Sequence, residues 1–265
     1  MSDDETFVTI VSIGVGPVLW AIWLFKLWRL QLRAGGRTGL TAVSVTLAAC
    51  ALLIFVVLQT LASFDVVDAP PYLFMYVVLG LAWLRLTITA FPFLGLSIRD
   101  DVVERDNLAA TLAGAGALVA VALCYAGGNI GDGPGWWVVI FSAALATATW
   151  LLIWFVLAFF SPVADTVTID RDPAAGLRLG AFLVSVGLVL GRAVAGDWVS
   201  SDATVNEFVY SLPAALILLA LALFIEYRAR PTPERPYAPF VGLGMVPAVV
   251  YLTVAVAAVV RLGQP

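Results

Sequence analysis

Apolar runs of about 20 residues recur along the chain, separated by short polar clusters. Val43 to Leu61 (VSVTLAACALLIFVVLQTL) is one such run. At a rise of about 1.5 Å per residue, a helix of that length crosses a hydrocarbon core about 30 Å thick. The run does not alternate between polar and apolar positions, as the strands of a membrane barrel must. The pattern predicts eight helical spans, at 7–28, 40–62, 72–96, 107–127, 135–160, 174–196, 208–227 and 239–261. The breaks carry turn chemistry, for example Asp68-Ala69-Pro70-Pro71, Gly131-Asp132-Gly133-Pro134-Gly135 and Asp170-Arg171-Asp172-Pro173.

Composition agrees with the pattern and narrows it. Of 265 residues, 62% are hydrophobic and 12% charged, against about 25% charged in a soluble domain. Eight spans of about 21 residues leave no connection long enough to hold a domain. The expected fold class is an all-α polytopic bundle, with residues 1–265 forming one integral membrane domain. The chain has no His, which removes imidazole metal and haem sites and His-based catalytic pairs. Cys50 and Cys124 sit inside apolar runs without a CxxC spacing and read as buried thiols. Lys26, the only Lys, lies at the end of the first span, which argues against a retinal Schiff base. A net charge of −4 argues against a nucleic-acid partner. No cofactor is expected.

Basic residues fall on one side of this topology. Eleven of the 14 Lys and Arg flank the connections 1–2, 3–4, 5–6 and 7–8, among them Arg33, Arg37, Arg171, Arg178, Arg228, Arg230 and Arg235. The opposite side carries Asp3, Asp4, Glu5, Asp65, Asp68, Asp132, Asp197, Asp202 and Glu207, with only Arg192 and Arg261 nearby. Lys and Arg flanking a span are retained in the cytoplasm. The expected location is the bacterial cytoplasmic membrane, with both termini outside. The acidic start MSDDETF lacks the positive region of a cleavable signal, so the first span is expected to be an uncleaved anchor.

A displacement of 66 residues aligns Glu104-Arg105-Asp106-Asn107-Leu108-Ala109-Ala110 with Asp170-Arg171-Asp172-Pro173-Ala174-Ala175-Gly176 and brings Gly114 onto Gly180. The unit is a two-helix hairpin, with parallel copies at about 72–130 and 135–197. Asp106 and Asp172 read as N-caps, with Pro173 suited to the first helical position. These elements, with Gly116, resemble the domain-of-unknown-function-350 family of small bacterial inner-membrane proteins over roughly residues 72–197. The resemblance implies paired two-helix repeats in which a charged loop leads into a Gly- and Ala-rich helix. It implies no catalytic residue. The small residues of spans 4 and 6, such as Ala109, Ala113 and Ala117, or Gly187 and Gly191, predict that these spans pack closely at the centre. Trp150, Trp154 and Phe155 are expected at the lipid-facing periphery, and Trp136, Trp137 and Trp198 in an interfacial belt.

The candidate polar path is Arg85, Arg192, Asp132 and Asp197. Arg85 lies inside span 3 and either faces protein or water, or snorkels past Pro92. Arg192 either pairs with Asp197 or offers an anion contact beside the Gly-rich loop Gly127 to Gly135, which lacks the Lys of a phosphate loop. Glu226 reads as a solvated interfacial partner of Arg228. The loop holding Arg99, Asp100, Asp101, Glu104, Arg105 and Asp106 is either a solvated turn or a docking site for a cytosolic partner. Without a nucleophile and base, an enzyme is not expected. The sequence therefore suggests a non-catalytic membrane scaffold or accessory protein in the lipid bilayer, with a homo-oligomeric or membrane-protein partner. The alternative is an ion or small-solute transporter or channel using Arg85 and the Gly-rich loop. Single cysteines placed at Arg33 and Asp132 are expected to react with an impermeant reagent from opposite faces of the membrane; labelling of both from one face contradicts the eight-span topology.

Overall fold

The computed structural model describes residues 1–34, 38–229 and 239–263. Its eight long apolar helices are α1 (Asp3–Arg33), α2 (Gly39–Leu61), α3 (Pro70–Leu94), α4 (Leu108–Gly127), α5 (Trp136–Phe160), α6 (Pro173–Ala193), α7 (Ser201–Ala229) and α8 (Phe240–Leu262). Among the described residues there is no strand, only one isolated parallel bridge between Ala62 and Gly131. The protein is an all-α polytopic bundle, a multi-pass integral membrane protein. Arg37, Arg230 and Arg235, used in the charge tally, lie outside the described residues.

Two helices begin earlier than the apolar pattern indicates, and side-chain caps explain why. At α1, Ser2 Oγ accepts from Glu5 N at 3.4 Å while a Glu5 carboxylate oxygen accepts from Ser2 N at 2.6 Å, a reciprocal capping box. At α7, Ser200 Oγ accepts from Ala203 N at 3.1 Å, which adds a polar turn ahead of the apolar run. α3 is α-helical only to Thr87 and continues as a 3-10 helix through Pro92 to Leu94. Proline removes one donor from the ladder there, and Gly95 ends the segment at φ 83°.

α2, α4, α6 and α8 run from the arginine-rich end of the bundle to the acidic end and stand side by side in that order, while α1, α3, α5 and α7 run oppositely and form a second row against them. The centre is the parallel pair α4 and α6. A Cβ on Gly176 would lie 2.3 Å from Ala109 O, one on Gly116 2.4 Å from Gly180 O, and one on Gly127 2.1 Å from Gly191 O. The two backbones therefore touch from one end of the membrane to the other. Lipid offers helices no hydrophobic drive to associate, so close van der Waals contact at small residues supplies the attraction.

Trp150 and Trp154 do not face lipid. They are 0% and 1% exposed, and Trp150 Nε1 donates to Leu183 O at 3.0 Å. Phe91 packs edge-on against Trp154 with ring centroids 5.2 Å apart. In an apolar solvent, side-chain size carries no inside-or-outside signal, whereas an indole N–H gains from an acceptor that only the protein provides. Phe155 does lie on the exposed surface.

The turn entering α4 also differs from expectation by one residue, whereas the turn entering α6 has the expected cap. Asn107, not Asp106, caps α4, its Oδ1 accepting from Ala109 N at 2.9 Å; Asp172 caps α6, its Oδ1 accepting from Ala174 N at 2.9 Å. Asp106 and Arg171 precede these caps with φ of 46° and 56°. Matching backbone bonds follow the same displacement: Arg105 N to Asp100 O with Asp170 N to Asp165 O, and Asn107 N to Asp101 O with Asp172 N to Thr166 O. The two turns thus correspond at 65 residues rather than 66. The shared letters Arg-Asp in both loops draw a sequence alignment one position away from the hydrogen-bonded register.

Gly127→Ala is expected to destabilise the protein by about 1–3 kcal/mol, because the new methyl must push two backbones apart. Gly14→Ala, which meets nothing within 4 Å, should leave thermal unfolding in detergent nearly unchanged.

Candidate functional site

At the acidic end, the close approach of α4 and α6 continues into their trailing loops. Gly131, at φ 98°, donates its N–H to Leu61 O at 3.3 Å, and Gly196, at φ 142°, donates to Ile130 O at 3.0 Å. A Cβ on Gly131 would lie 2.4 Å from the Gly196 carbonyl carbon, so the left-handed glycine is also where the two loops touch. Trp198 N donates to Asp132 O at 2.7 Å, and Asp132 N donates to Asp197 Oδ1 at 2.8 Å. The structure thereby joins Asp132 and Asp197 of the expected polar path.

Beneath these loops is a cavity of about 60 Å³, reached by Tyr76, Asn129, Ser142, Asp132, Asp197 and Glu207. It has room for a few water molecules or one small polar group. Asn129 is 6% exposed and donates through Nδ2 to Tyr125 O at 2.8 Å. That bond orients the amide and leaves Oδ1 without a partner. The Gly-rich loop marks this region in the sequence, but the glycines alone do not show which of its side chains carries the open acceptor.

Arg192 belongs to the same end but does not pair with Asp197. Its Nε donates to Gly263 O at 3.1 Å and its Nη1 to Ala195 O at 3.2 Å, with Nη2 2.9 Å from Gly263 O. It therefore fastens the end of α6 to the end of α8, where outward-facing carbonyls attract a cation. The expected pair is replaced on both sides: Asp197 accepts from the Asp132 amide, and the Arg192 donors go to backbone carbonyls.

Arg85 is not brought to this cluster. It lies on the arginine-rich half of α3, half-buried, with its guanidinium carbon 5.6 Å from the Trp23 ring centroid. Its Nε is buried without an acceptor. Among the described residues no carboxylate pairs with it. The aromatic face offsets part of the cost of holding the cation in the bundle.

The charged segment from Arg99 to Asp106 is largely committed to its own fold. Asp101 is 6% exposed; its Oδ2 accepts from Ser97 N at 2.8 Å and its Oδ1 from Arg105 Nη1 at 2.9 Å. Asp100 Oδ2 accepts from Ser97 Oγ at 2.7 Å, and Asp106 Oδ1 accepts from Gly39 N at 3.1 Å at the start of α2. Arg99, Glu104 and Arg105 remain exposed. Asp101 corrects the expectation of a wholly solvated turn.

A buried ion pair replaces the surface pair expected for Glu226. Glu226 is not a solvated partner of Arg228: it is 4% exposed and accepts two bonds from Arg178, Nε to Oε1 at 2.8 Å and Nη2 to Oε2 at 3.0 Å. Arg178, 1% exposed, also donates through Nη1 to Leu243 O. One fork thus binds α6, α7 and α8 near the arginine-rich end. Arg228 instead lies over Phe224, 5.2 Å from its centroid. The partners stand 48 residues apart, and the only available signal was an acidic residue in an otherwise apolar span.

No protein-family model matches this chain, and neither curated proteins nor solved structures provide a match.

Glu226→Ala is expected to cost about 3–5 kcal/mol, because it strands a buried guanidinium. The double change Arg178→Met with Glu226→Leu should recover most of that loss, measured as unfolding of the purified protein in detergent.

Proposed function

We propose that this protein is a non-catalytic membrane scaffold or accessory partner. The observation that carries this reading is the α4–α6 seam. Backbone atoms of α4 and α6 meet where these two central helices adjoin, and the glycines at positions 116, 127 and 176 leave no space for a path between them. A chain organised around such a seam is suited to rigidity and assembly. We also read the hairpins at 72–130 and 135–197 as copies of one parallel unit, supported by their matched turns. The acidic end is assigned to the outside of the bacterial cytoplasmic membrane on the strength of the basic asymmetry.

The second reading, an ion or small-solute transporter, is favoured by one observation: the unpartnered Asn129 Oδ1 bordering the cavity at the acidic end. Arg85 would then be the charged group farther along the path.

Reconstituted full-length protein in vesicles containing potassium, proton and chloride reporters is expected to leak at the rate of protein-free vesicles. In cells, cross-linking should recover a stable membrane complex. Reproducible flux that disappears in Arg85→Ala overturns the scaffold assignment.

A further inference from the structure

Among the described residues, the two basic side chains at the acidic end, Arg192 and Arg261, border one groove. This groove, about 620 Å³ in volume, runs between the end of α6, the start of α7 and the end of α8. It also presents Asp197 and Glu207, so two cations and two carboxylates share it. Among the described residues none of these four groups forms an ion pair, although opposite charges face the same space. A ligand bearing a single sign of charge would leave one pair of these groups unmatched. A ligand with separated positive and negative groups would address both.

A second groove adjoins the first at Arg192. It measures about 580 Å³, and apart from Arg192 its walls are apolar residues and glycines of α2, α4, α6 and α8 with Ile130 and Gly263. Leu188 to Arg192 and Val57 to Leu61 each span four residues, so the groove descends at least about 6 Å along the helices. That depth lies within one leaflet of a core about 30 Å thick. An apolar channel beneath a charged one, with a cation at their junction, has the polarity profile of a membrane lipid.

We infer that these adjoining grooves form a seat for a zwitterionic phospholipid of the phosphatidylethanolamine type. One acyl chain lies between α2 and α8 against the α4–α6 seam. The phosphate sits between Arg192 and Arg261, and the ammonium group is directed to Asp197 and Glu207. Arg192 spends donors on carbonyls of Ala195 and Gly263, so its contribution to the phosphate is mainly its positive charge. Arg261 is exposed and supplies the direct contact. The inference is independent of whether the chain conducts solutes.

The test uses the full-length chain purified in detergent, titrated with dioleoyl-phosphatidylethanolamine or dioleoyl-phosphatidylglycerol and analysed by native mass spectrometry. Wild type is expected to retain the ethanolamine lipid at least about threefold better than the glycerol lipid, the scale of one partly exposed charge contact. Glu207→Gln should erase that preference, and Arg261→Gln should lower retention of both lipids about threefold. Val260→Trp, at the groove wall, should reduce retention without changing the preference. Equal or better binding of the glycerol lipid to wild type overturns the zwitterion assignment. A wild-type dimer that binds neither lipid, and that Val260→Trp converts to monomer, assigns the groove to a second copy and likewise overturns the proposal. Unchanged ethanolamine-lipid binding in Arg261→Gln and Val260→Trp together overturns the location.

Discussion

Two parallel helices touching through their backbones set the geometry of this molecule. Inside a bilayer, apolar side chains gain little by leaving lipid for protein, so attraction depends on how many atoms reach contact distance. Gly116, Gly127 and Gly176 permit that contact along the whole length of α4 and α6. The consequence reaches beyond the core. Once the helix axes are pressed together, the chains entering and leaving them must meet as well. Asn107 Nδ2 donates to Val167 O at 2.8 Å where the helices begin, and Gly131 lies against Gly196 where they end. The acidic-end cavity exists because those trailing loops are held face to face.

Much of this was legible as periodicity in the sequence. Eight apolar runs predicted eight spans, and the small residues predicted which two lie innermost. Less was legible where the information resides in a partner rather than in the run itself. Trp150 looks as apolar as Phe155, yet one is completely buried and the other half exposed; the difference is Leu183 O on another helix, available to the indole N–H. The one-residue error in relating the two turns has a similar origin. Residue identity favours aligning Arg105 with Arg171, while the bonded register equates Arg105 with Asp170.

Arg85 and Arg178 show how differently a bundle can hold a guanidinium. Arg178 is fully enclosed and gives a fork of bonds to Glu226, so charge is met by charge and donors by acceptors. Desolvating such a pair offsets much of its Coulomb attraction, but leaving either member alone would cost far more. The pair therefore argues for a specific arrangement of α6, α7 and α8 more than for large net stability. Arg85 is only half-buried, and an aromatic face stands where a carboxylate might have been. Partial exposure makes that arrangement tolerable, since the rest of the guanidinium need not be matched by protein. Sequence alone marks Arg85 as an anomaly and places Arg178 among the flanking basic residues, and it does not distinguish a closed lock from an open edge.

This distinction also refines the charge asymmetry from which the topology was argued. Arg178 is enclosed with Glu226 and contributes little as a free cation, whereas Arg99 and Arg105 at the same end, though beside Asp100 and Asp101, remain exposed. The asymmetry rests on such exposed groups, not on the full count of basic residues. At the opposite end the exceptions are concentrated rather than scattered: Arg192 and Arg261 share one groove with Asp197 and Glu207. Among the described residues none of these four has collapsed into an ion pair, so although Arg192 and Asp197 already share hydrogen bonds with backbone groups, each keeps its net charge open to a counter-charge. Two bare cations beside an apolar groove would select an anion, while the adjacent carboxylates add a penalty against one. The same four residues therefore raise the specificity of the groove for a dipolar headgroup without requiring any of them to be deeply buried.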